Sequence, residues 1–355
     1  MTGVVGNDAT VRIEDPSEAG AVYGRGFFGT VGSRGLSLDR TESLYLVEMG
    51  RLGVQDDRGR PEDWKGLFRR AIQAEPGFGV RYLVYRDLRQ RGYVVRTGPA
   101  PVAFSVLPRG GILHKTPARY WVESVSEREP FDLGRMQTLA EKAQSTKKQL
   151  LVGVVDEESD LTFYRIRCPS PTGALPPPST ALRIPALLGE DRVLVFDAAG
   201  VESLGRQQAY GSRIGNRLEL SLLEAVHLAS SGILDVCDAR SRRRVLPDRL
   251  LRQARRLESD FDERLAAYRA LRERHLVVKT GFKYGAHFRA YPRNPEHAHA
   301  RYLVHAVEQE YRAPWSEIAR GVRVAQGVRK EFLLGGVTDG VPPVVRFLSL
   351  ERVRP

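Results

Sequence analysis

The sequence predicts an α/β (α+β) protein built as two tandem homologous repeats, and three observations lead there. First, the chain contains itself twice: YRDLRQRGYVVRTG (85 to 98) and YRALRERHLVVKTG (268 to 281) agree at nine of fourteen positions, where chance supplies about one. The interval of 182 to 183 residues also pairs ARYWVESV (118 to 125) with ARYLVHAV (300 to 307), Glu42-SLYLVEMGRLGV with Glu224-AVHLASSGILDV, Asp15 with Asp197 and Gly29 with Gly211. Second, between the copies lies CPSPTGALPPPSTALRIPALL (168 to 188), whose six prolines favour an extended strut over a packed element. Third, strand-length apolar runs alternate with helical periodicity inside each copy, the pattern of a mixed sheet packed by helices.

These marks divide the chain into five segments: an N-terminal subdomain of repeat 1 (1–76), a second subdomain of repeat 1 (77–167), the proline-rich linker (168–188), an N-terminal subdomain of repeat 2 (189–260) and a second subdomain of repeat 2 (261–355). In the second copy RVLVFD (192 to 197) reads as a strand. LSLLEAVHLASSG (220 to 232) reads as a helix with its glycine at the C-terminal cap. The charged stretch 247 to 275 reads as two helices or one bent one. LVVKTG, HFRAY and ARYLVHAV follow as strands, then a helix over SEIARGVRVAQGV (316 to 328) and a final apolar strand, EFLLGGV (331 to 337). Tyr284 and Tyr302 read as apolar-flanked strand residues, and His287 and His305 as surface or satisfied histidines.

Composition bounds the partners. No apolar run approaches the ~18 residues of a membrane span, and no charged-then-apolar secretory leader opens the chain. Two cysteines, Cys168 and Cys237, are too few for a disulfide framework or a cysteine zinc site, which suits a reducing cytoplasm. The formal charge is +12, and only eight of the 55 basic residues are lysine. Guanidinium groups grip phosphate oxygens in two places and stack on bases, so a polyanion is expected, nucleic acid before membrane.

One copy serves as the control for the other. Residues needed for folding should occur in both, so those found once are candidates for function. HFRAY over AFSVL sets Tyr291 against Leu107, and His299 falls against Pro117. RVAQGVRK over EKAQSTKK sets Lys330 against Lys148 but Arg323 against Glu141. Copy two therefore carries Tyr291, His299 and Lys330, whereas copy one keeps only the lysine. Such a trio suits phosphodiester transfer from an RNA 2′-hydroxyl, which needs a base for the hydroxyl, an acid for the departing 5′-oxygen and a cation for the charge gathering on phosphorus. Tyrosine ordinarily ionises near a pKa of about 10, so cations such as Lys330 and Arg329 would have to favour its phenolate.

The same residues suggest other chemistries. His297 and His299 share a strand face, and His305 shares their parity, so a three-histidine zinc site is conceivable. No cysteine is near and the carboxylates around it are ordinary for this composition, so no metal and no cofactor is expected. A metal-dependent DNA nuclease lacks its clustered Asp/Glu-x-Lys signature, and the glycine runs YGRGFFG and LGGVTDG lack a phosphate-loop context. The main alternative is a non-catalytic scaffold for structured RNA.

Taken together, EDRVLVFD, SLLEAVHLASSGILDV, LVVKTGFKYGAHFRAY, HARYLVH and VRVAQGVRK resemble, in family order, the archaeal tRNA-splicing endonucleases of the fused two-repeat type. The resemblance runs from about residue 8 to 355. It implies a nuclease-like mixed-sheet second subdomain in each repeat, with the one in repeat 1 pseudo-catalytic. It implies excision of introns from precursor tRNA at bulge-helix-bulge folds, leaving 2′,3′-cyclic phosphate and 5′-hydroxyl ends without a metal. By the same resemblance Tyr291 is the base, His299 the acid and Lys330 the charge stabiliser. Arg323 corresponds to one of two arginines that clamp a bulge base. Arg352 in ERVRP is the candidate for the other, although the tail after Lys330 is longer than the family pattern. The fused type implies a homodimer, with Asp156, Glu157, Glu158 and Asp160 of the silent repeat forming an acidic loop that docks on the partner copy. Two departures stand out: the connection from Tyr291 to His299 is short and contains His297, a rival for the acid, and Gln326 replaces a histidine often found there.

Overall fold

The computed structural model describes residues 1–176, 183–296 and 298–355. Residues 177–182 of the expected linker and the rival acid His297 lie outside them. The chain forms two compact units, Met1–Glu129 with Leu139–Arg165 and Arg352–Pro355, and Pro130–Thr138 with Ile166–Glu351. No helix among the described residues is long and apolar enough to cross a membrane.

In the first unit a six-stranded sheet runs Thr30–Gly32, Gly35–Leu38, Val11–Ile13, Thr2–Val5, Gly53–Gln55, Pro61–Glu62. Only Thr2–Val5 with Gly53–Gln55 is parallel. Helices Arg40–Glu48, Trp64–Ala74 and Phe78–Gln90 lead to strands Val95–Thr97, Phe104–Val106, Tyr120–Ser126 and Gln149–Val155, the last two paired in parallel.

The second unit repeats this plan. A five-stranded sheet runs Ser212–Ile214, Arg217–Ser221, Arg192–Val195, Ile184–Leu188, Leu234–Asp238. The last five residues of the expected linker are therefore a strand, buried at Ile184, Ala186 and Leu188 and paired on both sides. The charged stretch is two helices, Pro247–Leu257 and Phe261–Glu273. A further run of adjacent strands in this unit is Val277–Thr280, Phe288–Tyr291, Tyr302–Glu308, Glu331–Val337, Val345–Val353. Helix Trp315–Gly327 makes the crossover between the parallel strands Tyr302–Glu308 and Glu331–Val337, as parallel pairing requires. Strand Val345–Val353 lies beyond the strand expected to be last, and Tyr284 sits in a short turn of helix, Phe282–Tyr284, instead of a strand.

Equivalent residues make equivalent bonds. Asp15 and Asp197 cap their helices, each accepting a backbone N–H at 2.7 Å. Asp39 with Glu42 and Ser221 with Glu224 both form capping boxes. The same glutamates accept the N–H of Gly29 and Gly211, at 3.0 and 2.8 Å, and both glycines have positive φ. Burial, with Asp39 beside it, pushes the Glu42 carboxyl up to about 7 against the pull of Arg96. In the second unit Pro130–Asp132 of the first repeat pairs antiparallel with its counterpart Arg312–Pro314. Phe131 meets Trp315 edge-on at 5.3 Å.

Candidate active site

Strand register sets the three candidate catalytic positions at or next to the same end of three adjacent strands. Ala290 pairs with Tyr302, and Tyr302 with Glu331. Tyr291 ends the first strand, paired with Val277, and Lys330 immediately precedes Glu331. His299 lies three residues before Tyr302, in the connection 292–301. Because the first pair is antiparallel and the second parallel, all three positions leave the sheet on the same side. Arg301 N–H to Ala290 O, 3.0 Å, and Glu331 N–H to Arg301 O, 2.9 Å, extend the ladder to that end.

Tyr291 is buried, in a small apolar group with Leu175, Ala209, Val277 and Ala300. The Arg289 guanidinium lies 5.9 Å from its ring centre. Leu175 comes from the start of the linker, which is bonded into this wall. Gly173 N–H donates to Arg274 O at 2.8 Å, Ala174 N–H to Pro292 O at 2.8 Å and Leu175 N–H to His275 O at 3.0 Å. A Cβ on Gly173 would fall 2.1 Å from His275 O and 3.0 Å from Pro292 O, so only glycine fits. The linker thus holds the residue that follows Tyr291, a role its proline-rich composition concealed.

Lys330 is placed by the way its helix ends. Arg329 takes positive φ (54°), its N–H reaches Gln326 O at 3.0 Å, and Lys330 N–H reaches Ala325 O at 2.8 Å. This Schellman closure fixes the lysine backbone. Lys330 Nζ donates to Val328 O at 3.1 Å and lies 5.7 Å from the ring centre of Tyr284. Next to it Glu331 bridges two arginines, at 3.1 Å from Arg301 and 2.6 Å from Arg167. Arg167 and Arg301 on Glu331, with Arg329 and Lys330 just before it in the chain, make the cations outnumber this carboxylate, which suits a phosphate.

His299 is exposed, in the connection that joins Phe288–Tyr291 to Tyr302–Glu308. Its connection is anchored by Asn294 Nδ2, which donates to Arg206 O at 3.1 Å. Arg323 is exposed on helix Trp315–Gly327, and Arg352 is exposed near the end of strand Val345–Val353. In the acidic loop Asp156 differs from its neighbours. Its carboxylate accepts the N–H groups of Glu158 and Asp160, at 3.0 and 2.8 Å, and so shapes the turn. Glu157, Glu158 and Asp160 are exposed.

The other histidines have structural surroundings. His287 Nδ1 accepts Ala306 N–H at 3.1 Å, its Nε2 lies 3.3 Å from Asp260, and its ring is 5.2 Å from that of His305. Burial, with His287 adjacent, pushes His305 down to about 4. Tyr302 is buried on the same sheet face as Phe288, in one core with Tyr268 of helix Phe261–Glu273. A cavity of about 800 Å³ is lined by Tyr284, His287, His305 and Tyr311, and none of Tyr291, His299 or Lys330 lines it. The candidate site lies at the ends of three adjacent strands, where Tyr291 is buried and His299 exposed.

Residues 78–163 and again 261–341 match the tRNA intron endonuclease catalytic C-terminal domain. Residues 3–68 and 184–251 match the tRNA intron endonuclease N-terminal domain. The chain belongs to the tRNA intron endonuclease family. Among its relatives, the tRNA-splicing endonuclease of Methanosarcina acetivorans is 37% identical over 338 residues, covering 94% of each chain. That of Methanosarcina mazei is 36% identical over the same shares. The tRNA-splicing endonuclease of Halobacterium salinarum is 31% identical over 370 aligned residues, 99% of this chain and 97% of its own. Both domains of the family therefore occur twice, in the order of the internal repeat.

Proposed function

We propose that this chain excises introns from precursor tRNA, cutting at bulge-helix-bulge folds by attack of the scissile ribose 2′-hydroxyl on its own phosphate. The 2′-oxygen forms a bond to phosphorus as the bond to the 5′-oxygen breaks, leaving a 2′,3′-cyclic phosphate and a 5′-hydroxyl. Tyr291, as its phenolate, accepts the 2′-hydroxyl proton, His299, as its imidazolium, delivers one to the departing 5′-oxygen, and Lys330 balances the charge on the phosphoryl oxygens. No metal ion enters these steps. The observation that supports the reading is the register that sets the ends of Phe288–Tyr291, Tyr302–Glu308 and Glu331–Val337 side by side, with Tyr291 and Lys330 at those ends and His299 in the connection between the first two. Arg323 stacks on a looped-out base, with Arg352 as the candidate second clamp. The working form is a cytoplasmic homodimer in which Glu157, Glu158 and Asp160 of the silent repeat face the partner copy's second repeat.

The test is cleavage of an intron-bearing precursor tRNA in excess chelator, beside a substrate whose scissile nucleotide lacks its 2′-hydroxyl. The reading expects full activity on the first and none on the second. Cleavage of the deoxy substrate would reject the mechanism. Unchanged cleavage by Tyr291→Phe, His299→Ala and Lys330→Ala would reject the site.

A further inference from the structure

We infer that Tyr284 is a positioning residue for Lys330, supplying an aromatic face that holds the ammonium close to Arg289, which also lies over the Tyr291 ring. The inference rests on the catalytic reading of Lys330 above and adds a residue to it. Its basis is the duplication, which provides the same lysine twice.

The backbones before Lys330 and Lys148 are alike. Arg329 and Lys147 both have positive φ, 54° and 59°, and the N–H groups of Lys330 and Lys148 reach Ala325 O and Ala143 O at 2.8 Å. Each ammonium also donates to the carbonyl two residues back, Val328 O at 3.1 Å and Thr146 O at 3.2 Å. What differs is the ring beneath the ammonium. Lys148 Nζ lies 5.7 Å from the ring centre of Trp121 in the neighbouring strand. Repeat 2 has Leu303 at that position, and Lys330 Nζ lies 5.7 Å from Tyr284.

Tyr284 reaches the lysine from the turn Phe282–Tyr284, between Val277–Thr280 and Phe288–Tyr291. Close packing of glycine closes that turn: a Cβ on Gly281 would meet Ala286 O at 2.6 Å, and Gly285 has φ of 62°. The corresponding turn of repeat 1 reads GPAPVAF and holds no aromatic before Phe104. Arg289 lies 5.9 Å from the same Tyr284 ring and also 5.9 Å from that of Tyr291. One half-buried ring therefore sits between the candidate charge stabiliser and the arginine beside the candidate base. A lysine side chain has four rotatable bonds, and an aromatic face attracts the ammonium and narrows their range. The silent repeat directs its lysine onto a different ring, which separates fold from placement.

The experiment is single-turnover cleavage of a bulge-helix-bulge RNA by the full chain at saturating enzyme, with the RNA dissociation constant measured in parallel. Tyr284→Leu is expected to slow cleavage about three- to thirtyfold, the range of a partly exposed cation–π contact, with unchanged RNA affinity. Tyr284→Phe, which keeps the ring, is expected to cleave at the wild-type rate and to show that the turn folds. In a Lys330→Ala background Tyr284→Leu is expected to add nothing, since residues acting through one group are not additive. An equal further loss in that background, a loss wholly in RNA affinity, or a Tyr284→Phe variant as slow as Tyr284→Leu would overturn the inference. If Lys330→Ala is slow and Tyr284→Leu is not, the inference alone fails. If Lys330→Ala cleaves normally, the catalytic reading of the lysine fails and the inference with it.

Discussion

Acidification should destabilise the second repeat through His227, a residue outside the candidate site. Its ring stacks on Tyr210 at 6.2 Å and meets Tyr268 edge-on at 5.5 Å, with Arg272 and Arg269 as the nearby cations. Burial, aided by those arginines, pushes its pKa down to about 4. The folded state therefore holds His227 neutral, while the unfolded chain takes up its proton near the ordinary value of about 6.5. As pH falls below 6.5 the unfolded state binds more protons, so stability present above that pH is lost, until both states are protonated below about 4. Between pH 7 and pH 5 the loss from this group is about 2 kcal/mol. For a unit of this size that lowers Tm by about 4–8 °C. The first repeat provides the control. Tyr45 occupies the equivalent position, stacked on Phe28 at 6.1 Å and edge-on to Tyr85 at 5.8 Å, so His227→Tyr fits the same aromatic nest without a titrating group. Thermal melts of both proteins at the two pH values should show the variant losing about 2 kcal/mol less than wild type. Equal losses would show that the His227 proton is not the cause.

Other consequences are as direct. Gly173→Ala places a methyl 2.1 Å from His275 O and 3.0 Å from Pro292 O; it should destabilise the second unit by about 1–3 kcal/mol and slow single-turnover cleavage, and wild-type values of both would remove the linker from the site. Lys147→Gly relieves a left-handed residue at a helix end (φ 59°) and should raise stability by up to about 1 kcal/mol in a denaturant melt. Reversing the charge of Glu157 and Asp160 should weaken self-association about tenfold or more in sedimentation measurements, more steeply at low salt. Asp156 is left intact in that test because its carboxylate holds the turn.

The readable and the hidden parts of this molecule differ for physical reasons. The duplication exposed the strands around HFRAY and HARYLV, because equal sequences at equal spacing require equal elements, and it singled out Tyr291 and His299 as present once. Ile184–Leu188 was concealed because Pro185 removes an amide donor and reads as a strand breaker, yet the strand pairs with neighbours on both sides. The bracing of Pro292 by Ala174 depends on a contact more than a hundred residues away in sequence, which no local pattern reports. Tyr284 resembled a packing tyrosine because its apolar flanks suited a strand, whereas Gly281 and Gly285 close a turn there and swing the ring toward Lys330. A comparison of the two turns, FKYG against PAPV, carried that signal. Asp156 illustrates the reverse: four acidic residues looked equivalent, but local amides take up one of them.

The central claim is that Tyr291, His299 and Lys330 act on one phosphate from the ends of adjacent strands. The most direct measurement compares single-turnover cleavage of a normal bulge-helix-bulge RNA with one whose departing 5′-oxygen is replaced by sulfur, a leaving group that needs no proton. His299→Ala should lose about 10²–10⁴-fold on the oxygen substrate and recover on the sulfur substrate, while Tyr291→Phe and Lys330→Ala stay slow on both. Recovery by His297→Ala instead, or no recovery by His299→Ala, would contradict the assignment of the acid and the geometry built on it.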